Sequence, residues 1–511
     1  MQQYIAACKA YDVRGVYKEQ IDEVLMYMIG VRLGAQMLLE QGQHASCLIG
    51  ADTRAANNTL VYWFIKWLEH AWVDQIVLGG KQVTPGEGEL RWWVMSTSIL
   101  YHLADHIQSY GVQFTASHNP PQYAWCKILT PAWVLMDTQR IRTWLEDGEM
   151  YISEKQQQDI LSYIPTLDER AHMREQYSLE RMCTQWQDAW SKHPLVWAVE
   201  QMYTWMHTIY ATCTRSVTIV IDCSQGAGVS YEKEMLTEIA QQGGHKIIWL
   251  HDQADGRSTA HGSDTTDAKN YADLIDAVQT HQADLGIMFD GDADRIGLVD
   301  NRWTIIGGDL LVAWMAHHIL AEYDHFTQQA PTATTKTVVY DIWSTRTIAD
   351  VIQRHHAQGV VSRIGQKFLK EKFAQHNAIF AGELSGHLFF AETKSHEMVL
   401  YAIYVILYGM TQDVRPLAEQ FAELMTYYKS PLHNFHVTDA QQAVALVQEH
   451  FASDTAATID MTDGVRVNYP DKWILVRPSN TEPVVRVCAE ATTRQACDAL
   501  LEHVKDILQV A

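Results

Sequence analysis

Four short polar loops carry the residue types that could do chemistry. Thr115-Ala116-Ser117-His118-Asn119-Pro120 follows the apolar run GVQF. A serine at a strand end beside a histidine can act as a nucleophile or phosphoryl carrier. The same residues also suit a plain polar turn before a proline pair. Asp290-Gly291-Asp292-Ala293-Asp294-Arg295 follows LGIMF. Alternating carboxylates on a tight turn can wrap one hard cation through oxygen, as Mg²⁺ accepts, and three clustered negative charges call for such a partner. An EF-hand loop is excluded, because its sixth position is Arg295 instead of Gly and its twelfth is Asn301 instead of Glu.

The third loop is Gly382-Glu383-Leu384-Ser385-Gly386-His387, whose spacing is not the G-x-S-x-G of a hydrolase elbow. A Glu and a Ser two apart suit paired hydrogen bonds to vicinal sugar hydroxyls. As a histidine, His387 is a candidate acid or base near neutral pH, or a hydrogen-bonded core residue. The fourth loop is Arg477-Pro478-Ser479-Asn480-Thr481-Glu482-Pro483. A forked guanidinium with neutral donors on a proline-braced turn suits an oxyanion such as phosphate, and a capping turn is the alternative.

The elements that must hold these loops read as β-α-β units. Strands are predicted at 47–52, 75–80 and 111–117, then at 216–222, 246–251 and 285–290, then at 337–342, 359–364 and 378–384. Each block ends its third strand in one of the loops, and ligands of open α/β sheets sit beyond the carboxyl ends of strands. The loops are therefore expected to face a shared cleft. The tail, with strands at 463–469, 473–477 and 484–490 and a helix near 493–509, reads as a small α+β domain. The fold class is α/β, three similar mixed α/β domains plus a smaller C-terminal α+β domain around a central cleft. The expected boundaries are 1–195, with a helical insertion near 145–195, then 196–301, 302–411 and 412–511. The stretch from 145 to 210 is rich in Gln, Glu and Trp and carries no nameable chemistry.

Composition narrows the class. The 511 residues include 39 Lys+Arg and 61 Asp+Glu, a net charge of −22, which argues against a nucleic-acid or anionic-membrane partner. The N-terminus lacks the pattern of a signal peptide, so a cytoplasmic location is expected. The apolar stretch Met398 to Met410 is too short to span a bilayer and reads as a buried helix. Eight cysteines form no C-x-x-C pair and read as reduced core thiols, and the 24 histidines show no H-E-x-x-H or compact zinc spacing. Trp (17) outnumbers Phe (12) while Gly (28) is scarce, which directs attention to where the tryptophans stand.

Taken together and in this order, the four loops resemble the α-D-phosphohexomutase superfamily, and within it the phosphomannomutase/phosphoglucomutase branch. The match runs from Tyr11-Asp12-Val13-Arg14-Gly15 to the tail, excluding 145–210. The resemblance implies three α/β domains and a smaller fourth around one cleft, and an enzyme interconverting hexose 6-phosphate and hexose 1-phosphate through a phosphoserine. It implies that Ser117 is that phosphoserine, that Asp290, Asp292 and Asp294 hold Mg²⁺ together with Ser117, and that Arg295 steadies the phosphoryl group. It assigns Arg14, His118, Lys127 and His387 to charge stabilisation or proton transfer. It assigns Tyr11, Glu383 and Ser385 to the sugar, and Arg477, Ser479, Asn480 and Thr481 to the non-reacting phosphate. A hexose 1,6-bisphosphate is implied as intermediate and activator, with a small phosphosugar as the only partner of a monomer or homodimer. Phosphoglucosamine mutase is the alternative within the fold, and a catalytically impaired phosphosugar-binding paralogue is the alternative outside catalysis.

The sequence also departs from the family pattern. Trp343 stands where a Lys is common and Gln366 where a His is common, both expected on the substrate side of the third domain, and His261-Gly262-Ser263-Asp264 stands where Pro-Asn-Pro is common. Trp72, Trp125, Trp133 and Trp303 stand where the family commonly has Gly, whereas Trp473 matches a family Trp. Gly serves left-handed turns and Trp needs a large pocket, so the two exchange poorly. The four positions suggest either UGA codons that the source reads as glycine or a divergent sequence with genuine tryptophans there.

Overall fold

The alternating apolar runs build three sheets of one design. The computed structural model describes residues 2–9, 12–42, 45–73, 75–79, 81–83, 92–132, 134–147, 154–163, 166, 169, 172–173, 176–177, 194–327, 335–478 and 484–508. The first sheet holds β1 (Val13–Val16), β2 (Ser46–Ala51), β3 (Gln75–Leu78), β6 (Tyr110–Thr115) and β7 (Tyr123–Leu129), in the order β1-β7-β6-β2-β3. Two short strands, β4 (Lys81–Val83) and β5 (Trp92–Val94), pair as a separate ribbon. In the second sheet β8 (Thr218–Asp222), β9 (Lys246–Leu250), β10 (Leu285–Phe289), β11 (Ile296–Asp300) and β12 (Ile305–Ile306) run in the order β12-β11-β10-β8-β9. The third has β13 (Thr337–Asp341), β14 (Gln358–Ser362), β15 (Phe380–Gly382) and β16 (Leu388–Phe390), in the order β14-β13-β15-β16.

Each sheet repeats one rule. Its first three long core strands are parallel, with the third paired to the first, and the third then turns back in an antiparallel hairpin. The three hairpin turns are the loops of Ser117, of Asp290–Arg295 and of Glu383–His387. The sequence reading located the parallel strands to within two residues at their ends. It missed the antiparallel partners β7, β11 and β16, because a loop full of polar residues between two apolar runs looks the same whichever way the chain leaves it.

The tail forms a further sheet from β17 (Tyr428–Lys429), β18 (His433–His436), β19 (Thr458–Asp460), β20 (Val465–Asn468), β21 (Lys472–Pro478) and β22 (Val484–Ala491), with helices Ala440–Phe451 and Arg494–Leu508. Alternate residues Val465, Val467, Ile474, Val476, Val485, Val487 and Ala489 bury one face of it against Val447, Val504 and Leu508 of those helices. The period-two alternation is what a sheet covered on one side requires.

The chain divides into two units, one comprising Met1–Ile305 with His396–Val414 and the other Ile306–Ser395 with Arg415–Ala511. The first therefore contains the Ser117 and Asp290 loops, and the second the Glu383 and Arg477 loops. The stretch Met398 to Met410 is the buried helix expected, running Val399–Gln412 within the first unit. No helix among the described residues is long and apolar enough to cross a membrane. The described cysteines are all buried and free. In the 145–210 stretch, helices occupy Glu154–Ser162 and Pro194–Tyr210.

Candidate active site

Ser117 ends β6 in a left-handed conformation, φ 48°, with its side chain fully buried. A non-glycine residue held there stores strain that its surroundings must offset. Those surroundings come from residues the sequence reading passed over, Asp52 and Arg54 at the end of β2. Asp52 Oδ2 accepts hydrogen bonds from Thr115 Oγ1 (2.8 Å) and the Ala116 N–H (3.2 Å). Arg54 donates to the carbonyl oxygens of Ser117 (2.9 Å) and Pro120 (2.8 Å), and also to that of Asn119. Its Nε lies 3.3 Å from Asp52 Oδ2, which closes the brace. An Asp-x-Arg directly after a buried strand, beside another strand that ends in a candidate serine, was the available signal.

The Asp290 loop meets Ser117 directly. Ser117 Oγ donates to Asp290 Oδ2 at 2.9 Å and lies 3.2 Å from His118 Nδ1. Gly291 permits the approach, since a Cβ there would stand 2.4 Å from the Ser117 carbonyl oxygen. Asp290 Oδ1 accepts the N–H groups of Asp294 (3.0 Å) and Arg295 (3.1 Å), which fixes the turn. Helix Thr97–His106 abuts the loop with its N-terminus, and the Thr97 N–H donates to the Asp292 carbonyl at 2.9 Å. The Ser98 hydroxyl donates to the carbonyl of Ala293, another left-handed residue.

Lys127, on β7, lies almost fully buried with Nζ 2.9 Å from both Asp292 Oδ2 and Asp294 Oδ2. Burial alone would lower its pKa, but the two carboxylates outweigh burial and raise it well above the usual lysine value. Arg295 Nε lies 3.7 Å from Asp290 and 3.8 Å from Asp294. Arg14 pairs with Asp12 at 2.8 Å and sets its guanidinium 4.4 Å above the Trp125 ring. Burial pushes the Asp12 carboxyl up despite that pairing.

The three carboxylates offer oxygens within 4.8 Å of one another. Asp292 Oδ1 is buried with no hydrogen-bond partner among the described residues. An all-oxygen donor set with an unused buried lone pair fits a hard divalent cation such as Mg²⁺. The structure thus brings together Ser117, His118, Lys127, Asp290, Asp292, Asp294 and Arg295, with Arg14 over the Trp125 ring.

In the second unit, Glu383 is buried, with Oε1 accepting the Gly365 N–H (2.8 Å) and Oε2 accepting Ser385 Oγ (3.0 Å). His387 Nδ1 lies 2.8 Å from the same Oε2. Burial would raise the Glu383 pKa, but the hydrogen bond and charge of His387 dominate and hold it below the ordinary value. Asp341, at the end of β13, accepts the Leu384 N–H (2.6 Å) and the Trp343 N–H (2.7 Å), and burial followed by the Glu383 charge raises it to about 6. Asp341 joins the group without having been named from the sequence. Arg477, on β21, pairs with Asp463 at 2.9 Å, and Asp463 also accepts the Ile364 N–H at 3.2 Å. Tyr11, Ser479, Asn480 and Thr481 lie outside the described residues.

Trp343 shares a buried cluster with Ile342, Trp473, Leu475 and Cys488, so in place of a charge it supplies packing between the third sheet and the tail. Gln366 is buried at the start of helix Gln366–Gln375 with Oε1 lacking a partner among the described residues. Four sequence families match in order along the chain. They are described as phosphoglucomutase/phosphomannomutase alpha/beta/alpha domain I (residues 6–151), domain II (199–306), domain III (307–428) and C-terminal domain (432–507).

The chain belongs to the phosphoglucomutase/phosphomannomutase family.

Among curated members, it is 28% identical to the phosphomannomutase of Methanocaldococcus jannaschii, covering 98% of this chain and 97% of that one. It is likewise 28% identical to the phosphomannomutase/phosphoglucomutase of Pseudomonas aeruginosa, over 98% of this chain and 94% of the relative. The crystal structure of a family protein from Burkholderia thailandensis shares the fold, with a TM-score of 0.73 at 21% identity over 99% of this chain and 97% of that one. The family's mixed α/β domains and C-terminal domain are the fold class the sequence implied.

Proposed function

We propose that this enzyme interconverts hexose 6-phosphate and hexose 1-phosphate, with mannose or glucose as the sugar, through a phosphoserine at Ser117. The observation that carries the reading is the contact of Ser117 Oγ with Asp290 at 2.9 Å beside a lysine shared by two further carboxylates. Curated relatives bearing both mutase names support it. Phosphoryl transfer is mostly positioning and charge neutralisation, and the residues sort accordingly. Phosphorylated Ser117 gives its phosphoryl group to the free 1- or 6-hydroxyl of the bound sugar phosphate. The P–Oγ bond breaks as the new P–O bond forms, and the hexose 1,6-bisphosphate then turns over and returns its other phosphate to Ser117.

Asp290, Asp292 and Asp294 are the residues that would hold Mg²⁺, which when bound supplies positive charge against the transferring phosphoryl oxygens. Lys127, Arg295 and Arg14 add fixed cations on the protein side. His118, at 3.2 Å from Oγ, is placed to exchange a proton with Ser117. Glu383 and Ser385 read sugar hydroxyls, His387 acts as acid or base, and Arg477 with Ser479, Asn480 and Thr481 takes the non-reacting phosphate.

The test is coupled turnover of mannose 1-phosphate and glucose 1-phosphate with Mg²⁺ and a trace of hexose 1,6-bisphosphate. Intact mass of the purified protein should show one phosphate, lost in Ser117→Ala together with turnover. Undiminished turnover in Ser117→Ala would end the assignment.

A further inference from the structure

A second cluster, made of Asp222, His251 and His261, sits in the second sheet and takes no part in the chemistry above. Asp222 ends β8 fully buried, His251 directly follows β9, and His261 lies on the loop beyond. His251 Nδ1 and His261 Nε2 are each 3.0 Å from Asp222 Oδ2 and 3.1 Å from one another. The outer ring nitrogens are also engaged. His261 Nδ1 lies 2.7 Å from the Gly262 carbonyl, and His251 Nε2 lies 3.2 Å from Asp273 Oδ2.

The outer partners hold one tautomer ready in each ring for a cation at the inner nitrogens: the Gly262 carbonyl accepts from His261 Nδ1–H, and the Asp273 carboxylate stands beside His251 Nε2. In neutral rings the inner nitrogens are then lone pairs. Three lone pairs, two imidazole and one carboxylate, converge within 3.1 Å of each other and call for a cation between them. A tetrahedral ion at 2.0–2.2 Å from each ligand sets its ligand atoms about 3.3 Å apart, so occupancy requires only a few tenths of an ångström of spreading. Ligating histidines whose second N–H is held by a carboxylate or carbonyl are the usual support of such ions.

We propose that Asp222, His251 and His261 bind a borderline-soft divalent cation, Zn²⁺ or a Co²⁺ surrogate, separate from the Mg²⁺ of the Asp290 loop. Two imidazoles and one oxygen suit these ions, whereas Mg²⁺ takes oxygen. The ion is a staple. It ties the ends of β8 and β9 to the 251–263 loop, and Ser263 Oγ on that loop reaches the Ser117 carbonyl at 3.3 Å. Gly256 of the same segment runs against the backbone of Thr53 and Arg54, where a Cβ would stand 2.1 Å from the Thr53 carbonyl oxygen. The staple therefore backs the turn that holds the reactive serine.

The experiment is a Co²⁺ titration of the chelator-stripped full-length enzyme under saturating Mg²⁺, followed by visible absorption. One equivalent with the intense band of four-coordinate cobalt is expected. His261→Ala abolishes the band, Asp290→Asn retains it, and Asp273→Asn weakens the binding about tenfold through the lost support of His251. Zinc X-ray absorption on the unmodified enzyme adds a readout independent of any variant, with imidazole scattering and a first shell near about 2.0 Å. No band, a band that survives in His261→Ala, or an all-oxygen shell overturns the site. A single proton shared by the two histidines is the competing arrangement, and it gives the first of those results. None of these results depends on the identity of the sugar or on turnover.

A different observation bears on the tryptophans. Trp72 (φ 65°, 81% exposed) follows helix Asn57–His70, its N–H bonded to the Glu69 carbonyl and that of Val73 to the Leu68 carbonyl. This is a Schellman cap, whose left-handed position is usually Gly. Trp303 (φ 68°) closes the hairpin between β11 and β12, with Trp303 N–H to Asp300 O and Asp300 N–H to Thr304 O. That is a type I turn ending in a left-handed bulge, again a glycine position. Trp125 behaves otherwise, since it has no left-handed backbone and its ring is buried beneath Arg14. Trp133 lies outside the described residues. We infer that residues 72 and 303 are glycine in the protein as its source makes it, from UGA codons. Peptide masses of the natively produced protein, each lighter by an indole-methylene at 72 and 303, are expected. UGG codons at both positions, or full tryptophan mass, overturn the inference.

Discussion

Two clusters at the same end of one sheet solve the problem of buried negative charge differently. Around β10, three carboxylates share one loop and are answered by Lys127 and Arg295 on fixed elements. Between β8 and β9, one carboxylate is answered by two histidines. The first set offers oxygens alone beside a fixed lysine, which suits the hard cation and phosphoryl group proposed for it. The second offers nitrogen lone pairs and backs a loop, which suits an ion that stays. A further carboxylate of the same domain, Glu232, shows the bare case. Its Oε1 accepts from the Ser96 hydroxyl, Oε2 has no hydrogen-bond partner among the described residues, and burial lifts its pKa to about 7.

The contrast can be broken most strongly by kinetics. Asp290→Asn is expected to lower turnover by roughly a thousandfold or more, because it removes charge aimed at the reacting oxygens. His261→Ala is expected to cost about tenfold or less, acting through the Ser117 turn alone. Equal losses in the coupled assay would mean that the two clusters are one functional site.

Lys127→Met tests the fixed cation by stability. Removing one partner of a buried ion pair costs about 3–5 kcal/mol. Urea denaturation without Mg²⁺ should show that loss, and added Mg²⁺ should restore much of it. If Mg²⁺ protects parent and variant equally, Lys127 does not stand in for the metal's charge.

Glu232→Gln isolates the unanswered carboxylate. The folded pKa of about 7 lies above the unfolded value of 4.5, so the unfolded chain loses its proton first as pH rises. Stability therefore falls between pH 4.5 and 7 and stays low above, by on the order of 3 kcal/mol. The glutamine variant should lack that fall, and parallel pH profiles of the two proteins would count against the assignment.

The smallest effect is at the turns. Trp72→Gly and Trp303→Gly should each stabilise by about 1 kcal/mol, by relieving the left-handed conformation of a residue with a Cβ. A control at buried Trp125 should move the other way.

Much of the candidate site was legible because its polar residues stand close together in sequence. Ser117-His118, the three aspartates and Glu383-x-Ser385-x-His387 each occupy one loop, and apolar runs announce the strands that deliver them. The residues that were not legible reach the site from a distance in sequence. Asp52 and Arg54 act on Ser117 from 63 or more positions away. Asp222, His251 and His261 spread over 39 residues, so no spacing rule finds them, and only the parallel pairing of β8 with β9 brings the first two together. Trp343 was read as a substrate-side departure and is buried with Trp473, a contact that joins two domains no local pattern connects.

The helix Val399–Gln412 has a bearing on the order in which the molecule is made. Its Tyr401 stacks on Trp205 at 5.5 Å, the Tyr210 hydroxyl donates to the Leu400 carbonyl at 2.6 Å, and Arg215 reaches the Met410 carbonyl at 3.2 Å. The chain passes between its two units after Ile305, Ser395 and Val414. A ribosome that has just finished the second sheet has therefore not yet supplied the piece that covers the helix Pro194–Tyr210. The nascent first half waits with an aromatic seam bare while the third sheet is synthesised. A gene cut after residue 305 would leave that seam permanently without its cover.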